Sequence, residues 1–193
     1  MTKIAIILAS TRTGRAGAAV ARWVLDQARQ RGDADYEPVD LAEVDLPRTD
    51  EPFPPAMGRY TQPHTQRWAR TVAAYDGYVI VTPEYNHSFP GVLKNALDRV
   101  YAEWHNKAVA FVSYGVDGGV RAVEALRPVV GALQLADVSA AVALNLRTDF
   151  AGFGAGFTPG DHQGPALATV LDQLLSWSRA LAAVRTTEAS PAS

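Results

Sequence analysis

Cysteine is absent from all 193 residues, which removes disulfides, thiolate catalysis and iron–sulfur clusters from consideration. Long apolar runs are missing too, and nothing nears the ~20 residues of a membrane-spanning helix. Neither sign of charge dominates: 18 Lys and Arg face 20 Asp and Glu, for a net charge of −2. That balance makes no case for nucleic acid or an anionic membrane, and it does not suit a strongly acidic electron carrier. The four histidines (His64, His87, His105, His162) lack metal-ligand spacing, so no metal site is expected. Ser10 and Ser88 lack a G-x-S-x-G elbow, so a serine hydrolase is not expected either. Only Met1-Thr2-Lys3 precedes the first apolar run, without signal-peptide architecture, and the expected compartment is the cytoplasm. The glycosylation pattern Asn86-His87-Ser88 is therefore read as chance.

What is present is an ordinary globular composition, 48% apolar and 20% charged. A single domain is expected over residues 1–185, with a flexible tail at 186–193. Short apolar runs predict strands at 3–9, 36–41, 77–82, 107–113 and 138–144. Helical spacing predicts helices at 16–31, 64–74, 91–104, 120–133 and 165–184. Trp23, Trp68 and Trp177 fall within helical periodicity and are expected in the core. Residues 46–63 contain five prolines and read as a long loop; residues 152–164, with Phe153, Phe157, Asp161 and His162, read as another. Strand and helix alternate five times, which predicts a three-layer α/β fold. Its parallel five-stranded sheet would be doubly wound in the order 2-1-3-4-5. In that order the topological switch lies between strands 1 and 3, where open α/β sheets bind ligands.

Three polar loops leave that edge. The first, Ser10-Thr11-Arg12-Thr13-Gly14-Arg15, runs into a helix N-terminus at Gly17, where free N–H groups and the macrodipole favour an anion. The hydroxyls add donors, Arg12 and Arg15 offer charge-assisted bonds, and Gly14 and Gly17 let backbone come close. It matches neither a Walker loop nor G-x-G-x-x-G, so a monophosphate suits it better than a pyrophosphate. The second, Pro83-Glu84-Tyr85-Asn86, offers a ring face and mixed donors and acceptors to a flat ligand. The third brings Ser113, Tyr114, Gly115 and Gly118-Gly119 to the same edge, and its glycines permit close approach to a planar ligand.

Together with Pro90-Gly91-x-Leu93-Lys94-Asn95-Ala96-Leu97-Asp98 and Gly118-Gly119-x-Arg121, these segments resemble the NAD(P)H-dependent FMN reductases of flavodoxin-like fold. That family includes quinone, azo-dye and chromate reductases. The resemblance covers about residues 3–143 and implies FMN, reduced by NADPH or NADH and reoxidised by a small-molecule acceptor. It places the phosphate at Ser10, Arg12 and Arg15, and the ring against Pro83, Glu84, Tyr85 and Asn86, with Ser113 on the third side. Arg15 stands where some relatives carry serine, and the segment after strand 5 is more elaborate than the family pattern. A homodimer or homotetramer is implied, with no catalytic residue beyond the cofactor's own chemistry. A different class, a flavodoxin-like electron-transfer protein without NAD(P)H activity, is the alternative, and a net charge of −2 does not favour it.

Overall fold

Alternate residues of the first strand feed two separate cores. In the computed structural model, which describes residues 1–152 and 156–188, β1 (Lys3–Leu8) sends Ile4, Ile6 and Leu8 to one side and Ala5 and Ile7 to the other. Against the first side pack α1 (Gly17–Arg31) through Val20 and Val24, and α6 (Gln163–Glu188) through Leu167, Val170, Leu171 and Leu174. The second side is covered by α3 (Pro63–Ala73), α4 (Gly91–Asp98) and α5 (Val120–Ala132). Strands β3 (Gly77–Pro83) and β4 (Lys107–Gly115) are buried along their whole length, as central strands of a parallel sheet must be. With β2 (Asp35–Asp40) and β5 (Leu135–Asn145) they form an all-parallel sheet in the order β2-β1-β3-β4-β5. This is the flavodoxin-like order expected from the sequence. Pro38 is tolerated because β2 is an edge strand.

Several boundaries differ from the sequence reading, two of them for a visible hydrogen-bonding reason. The helix expected over 91–104 ends at Asp98, and a 3-10 turn covers Ala102–Trp104. The Tyr101 N–H is taken by Tyr60 Oη at 3.1 Å and Glu103 Oε2 at 3.3 Å, so it cannot continue the helical ladder. A short helix, α2 (Leu41–Val44), follows β2 directly because the Asp40 carboxylate accepts the Ala42 N–H at 2.9 Å. Trp68 is core, Trp23 is half-buried, and Trp177 is 50% exposed on the outer face of α6. Thr186, Thr187 and Glu188 continue α6. Phe153 and the remainder of the expected tail lie outside the described residues. Among the described residues no helix is long and apolar enough to cross a membrane.

One buried charge yields a stability prediction. Lys107 donates from Nζ to Val72 O at 2.9 Å, Ala73 O at 3.3 Å and Tyr78 Oη at 3.1 Å, closing the end of α3. Burial, reinforced by the nearby Arg185, pushes its pKa down to about 8. The unfolded chain then holds that proton more tightly than the folded one, so stability rises with pH from about 8 upward, by roughly 1–3 kcal/mol. The rise ends near the usual tyrosine pKa of about 10, because Tyr60 and Tyr75, pushed up to about 12 by burial, then oppose it. Urea midpoints measured across this window should climb in the wild type and lose the climb in Lys107→Met.

Candidate functional site

The carboxyl ends of β1, β3 and β4 open onto a cleft of about 270 Å³ lined by Ser10, Arg12, Gly14, Arg15, Ala16, Pro83, Glu84, Tyr85, Tyr114, Gly115 and Leu146. It lies at the switch point of the sheet, because β1 is flanked by β2 on one side and β3 on the other. Two of its walls are joined by a hydroxyl pair, Ser10 Oγ and Tyr85 Oη, 3.1 Å apart.

The first loop is rich in hydrogen-bond donors that find no acceptor among the described residues. Thr11, Arg12 and Thr13 are exposed, and among the described residues the Arg12 guanidinium has no partner. The amide N–H groups of residues 11–14 make no hydrogen bond within the described chain, while Arg15 N closes the turn onto Arg12 O at 3.2 Å. Unpaired amides, hydroxyls and one free guanidinium ahead of a helix are the chemistry that holds a phosphate. Arg15 is arranged differently. It donates from Nη1 to Ser10 O at 2.6 Å and pairs through Nη2 with Asp40, so it braces the loop against the end of β2. Asp40 occupies the place where a dinucleotide fold offers a carboxylate to a ribose, and here it is spent on Arg15 and the α2 cap.

The second loop is a tight turn. Tyr85 N donates to Ser88 O at 2.8 Å and Ser88 N to Tyr85 O at 3.1 Å, with Asn86 and His87 both at positive φ (50° and 68°). Such a turn normally carries Asn-Gly, so His87 stands in an uncommon conformation. Asn86 lies exposed at the tip and does not line the cleft. Glu84 lines the cleft, but its carboxylate is committed: it accepts from Arg121 Nε at 2.6 Å and Arg121 N at 3.2 Å, capping α5.

The third loop is mostly internal scaffolding. Ser113 is buried and donates to Gly118 O at 2.7 Å, which holds the turn before α5. At Gly118 an added Cβ would meet Ala143 Cβ at 2.9 Å, so this glycine faces β5 and not the cleft. Gly17 is likewise a packing glycine, since Tyr114 Oη occupies the space 2.4 Å from where its Cβ would stand. Burial holds the Tyr114 phenol well above its usual range, so it stays protonated beneath the cleft.

The structure thus brings nine of the fourteen sequence-predicted site residues to the cleft: Ser10, Arg12, Gly14, Arg15, Pro83, Glu84, Tyr85, Tyr114 and Gly115. Thr11 opens instead onto a neighbouring hollow with Leu41, Asp45, Val92 and Asn95, and Gly17, Asn86, Ser113 and Gly118 lie outside both. Ala16 and Leu146 also line the cleft, and neither residue type signals a ligand contact in the sequence. Leu146 follows β5 directly, and the β4–β5 register that pairs Gly115 with Asn145 is what brings it there.

A larger groove of about 530 Å³ lies between the Pro-rich loop, α4 and α5. Its lining is mainly proline, valine, alanine and leucine, and its lysine, Lys94, is paired with Asp98 at 2.6 Å. It offers nothing to an anion. No group of three or more metal-ligating side chains occurs among the described residues.

Residues 2–149 match the family described as NADPH-dependent FMN reductase. The chain belongs to this FMN reductase family. It is similar to an NAD(P)H-dependent FMN reductase of Schizosaccharomyces pombe, 42% identical over 149 residues, or 76% of this chain and 74% of that protein. It is also similar to one of Saccharomyces cerevisiae, 35% identical over 144 residues, or 69% and 75% of the two chains. Among solved structures, the flavoenzyme NAD(P)H:(acceptor) oxidoreductase FerB of Paracoccus denitrificans shares the fold, with a TM-score of 0.70 at 21% identity over 93% and 98% of the two chains. As a member of the family the protein is an FMN-dependent oxidoreductase with NADPH or NADH as reductant. Arg12 and the unpaired amides of residues 11–14 have the chemistry to fit FMN's terminal phosphate, and the walls at Pro83, Tyr85 and Tyr114 have the chemistry to fit a flat ring.

Proposed function

We propose that the cleft takes FMN with its phosphate on the first loop, and that the protein reduces small acceptors of the quinone, flavin or azo type. When bound, FMN supplies two-electron transfer from NAD(P)H to the acceptor. The chain's own residues bind and orient. Arg12 and the amides of residues 11–14 hold the phosphate; Pro83, Glu84, Tyr85 and Gly115 form the wall; Tyr114 forms the floor. Arg15, Ser113, Gly17, Gly118 and the turn at Asn86 hold these groups in place from behind. The observation that carries this reading is the unpaired guanidinium and amide set of the first loop, opening onto an aromatic cleft at the switch point. Titration of FMN and riboflavin into flavin-free protein tests it: FMN should bind much more tightly, and equal affinities would remove the phosphate assignment.

Loops after β1, β3, β4 and β5 wall the cleft. In this reading nicotinamide and acceptor use the space that FMN leaves in the cleft in turn. Initial rates at several fixed quinone concentrations should give parallel double-reciprocal lines, with quinone competing against NAD(P)H at high concentration. Intersecting lines would rule out the shared space while leaving the flavoprotein assignment standing.

The working form is a homodimer in this reading. Val92, Val116 and Val120 are 40%, 37% and 46% exposed around the starts of α4 and α5, and an apolar groove lies toward the other ends of the same two helices. A second copy of the chain is the occupant that would cover it. Light scattering at micromolar concentration should report about twice the 20.7 kDa of one chain; a monomer would contradict it.

A further inference from the structure

The segment after β5 is knotted around one buried carboxylate. Asp149 is 2% exposed. It accepts from the backbone N–H of Asn145 and of Gly160, both at 2.9 Å, from Thr148 Oγ1 at 3.3 Å and from Gln163 Nε2 at 3.3 Å. Its carbonyl accepts the Thr158 N–H at 2.9 Å, and Gln163 Nε2 also reaches Ala143 O at 3.2 Å. One side chain therefore ties together the end of β5, the returning arm of the loop and the first turn of α6. No cation pairs with Asp149 among the described residues. A carboxylate without a counter-charge is costly to bury, and here its lost water is replaced by donors from four residues.

The knot meets the cleft at two places. Leu146, three residues before Asp149, donates its N–H to Gly115 O at 2.9 Å and lines the cleft. Phe150, the next residue, lies with its ring centroid 6.3 Å from that of Tyr114, the cleft floor. Phe150 is backed by Phe157 at 5.1 Å, and Phe157 by Trp23 of α1 at 5.6 Å. The family match ends at residue 149, so the Phe157 and Gly160 arm and the Gln163 anchor lie beyond the shared part.

We propose that Asp149 is a positioning residue for acceptor choice: through the knot it fixes Leu146 as an apolar wall of the cleft, which selects compact flat acceptors over bulky ones. This rests on the reading that the cleft holds FMN and admits the acceptor. Leu146 brings no charge and no hydrogen-bonding side chain to the wall, so discrimination is by size. Leu146 has no hydrogen-bonding side chain to offer the phosphate assigned to the first loop, so flavin affinity should not depend on it.

The test compares wild type, Asp149→Asn and Leu146→Ala, each loaded with FMN, using 1,4-benzoquinone as the compact acceptor and menadione as the bulky one. In Asp149→Asn the new NH₂ faces N–H donors, and the knot opens without loss of side-chain volume. The menadione-to-benzoquinone ratio of kcat/KM should rise about tenfold, the scale on which an apolar pocket discriminates size, mainly through the KM for menadione. Leu146→Ala leaves every Asp149 bond in place and should move the ratio in the same direction; if Asp149→Asn does not fold, this variant decides the question. FMN affinity should stay within about twofold of wild type, far below the effect of losing a charged contact. An unchanged ratio in Leu146→Ala, or a lowered Tm with an unchanged ratio in Asp149→Asn, would overturn the proposal. So would a loss of FMN affinity in both variants, since Leu146 would then belong to the flavin's own seat. A wild type that binds no FMN would instead overturn the underlying functional reading.

Discussion

Replacing Arg12 by alanine should weaken FMN binding by about 1.5–3 kcal/mol, or roughly 10- to 150-fold, and leave riboflavin binding almost unchanged. The first loop holds two arginines, but only one is free. Arg15 is paired with Asp40 and donates to Ser10 O at 2.6 Å, whereas the Arg12 side chain is exposed at the cleft and unpaired among the described residues. A phosphate placed on the amides of residues 11–14 therefore meets Arg12 as its cation, and riboflavin has nothing to offer it. Arg15→Ala should behave otherwise. It unbraces the loop from β2, so it should lower affinity for FMN together with thermal stability. Fluorescence quenching titrations of the two flavins separate these effects, and an equal loss of both in Arg12→Ala would contradict the phosphate role.

Gly17→Ala should cost roughly 1–3 kcal/mol of folding stability, the usual price of forcing a methyl group into a filled core. The added carbon would stand 2.4 Å from Tyr114 Oη and 2.9 Å from Leu8 Cδ1. Tyr114 is only 6% exposed and its ring packs near Phe150, so it has little room to swing away. The helix N-terminus must shift instead, and the first loop shifts with it. FMN affinity should therefore fall along with the urea midpoint. Gly14→Ala is the control: nothing lies within 4 Å of its Cβ position, and its penalty is confined to the backbone at φ +69°. Equal urea midpoints for wild type and Gly17→Ala would show that the Tyr114 contact yields more easily than its burial implies.

The strand order was legible because each central strand is an unbroken apolar run ending in a polar loop, as in Tyr78–Val81 before Thr82-Pro83. Local hydrogen bonds that override periodicity were not. The break after Asp98 depends on Tyr60, some 40 residues earlier in the chain, taking the Tyr101 N–H. The short α2 depends on a cap whose residue, Asp40, also ends a strand. The site divides in the same way. Residues that meet the cleft through their place in a loop, such as Arg12, Pro83 and Tyr85, follow from the sheet order. Residue type could not separate ligand-facing groups from their supports: Ser113 and Glu84 have the chemistry to meet a ligand, yet spend it on Gly118 and Arg121. Leu146 carried no chemical signal, and only the pairing of β4 with β5 brings it to the wall.

The most direct test of the account is anaerobic titration of the FMN-loaded protein with NADPH, and separately NADH, followed by addition of quinone. The cleft should hold one FMN per chain, whose visible absorbance is lost on adding one equivalent of at least one nicotinamide and returns with the quinone. An FMN-loaded protein whose absorbance neither nicotinamide changes would contradict the account.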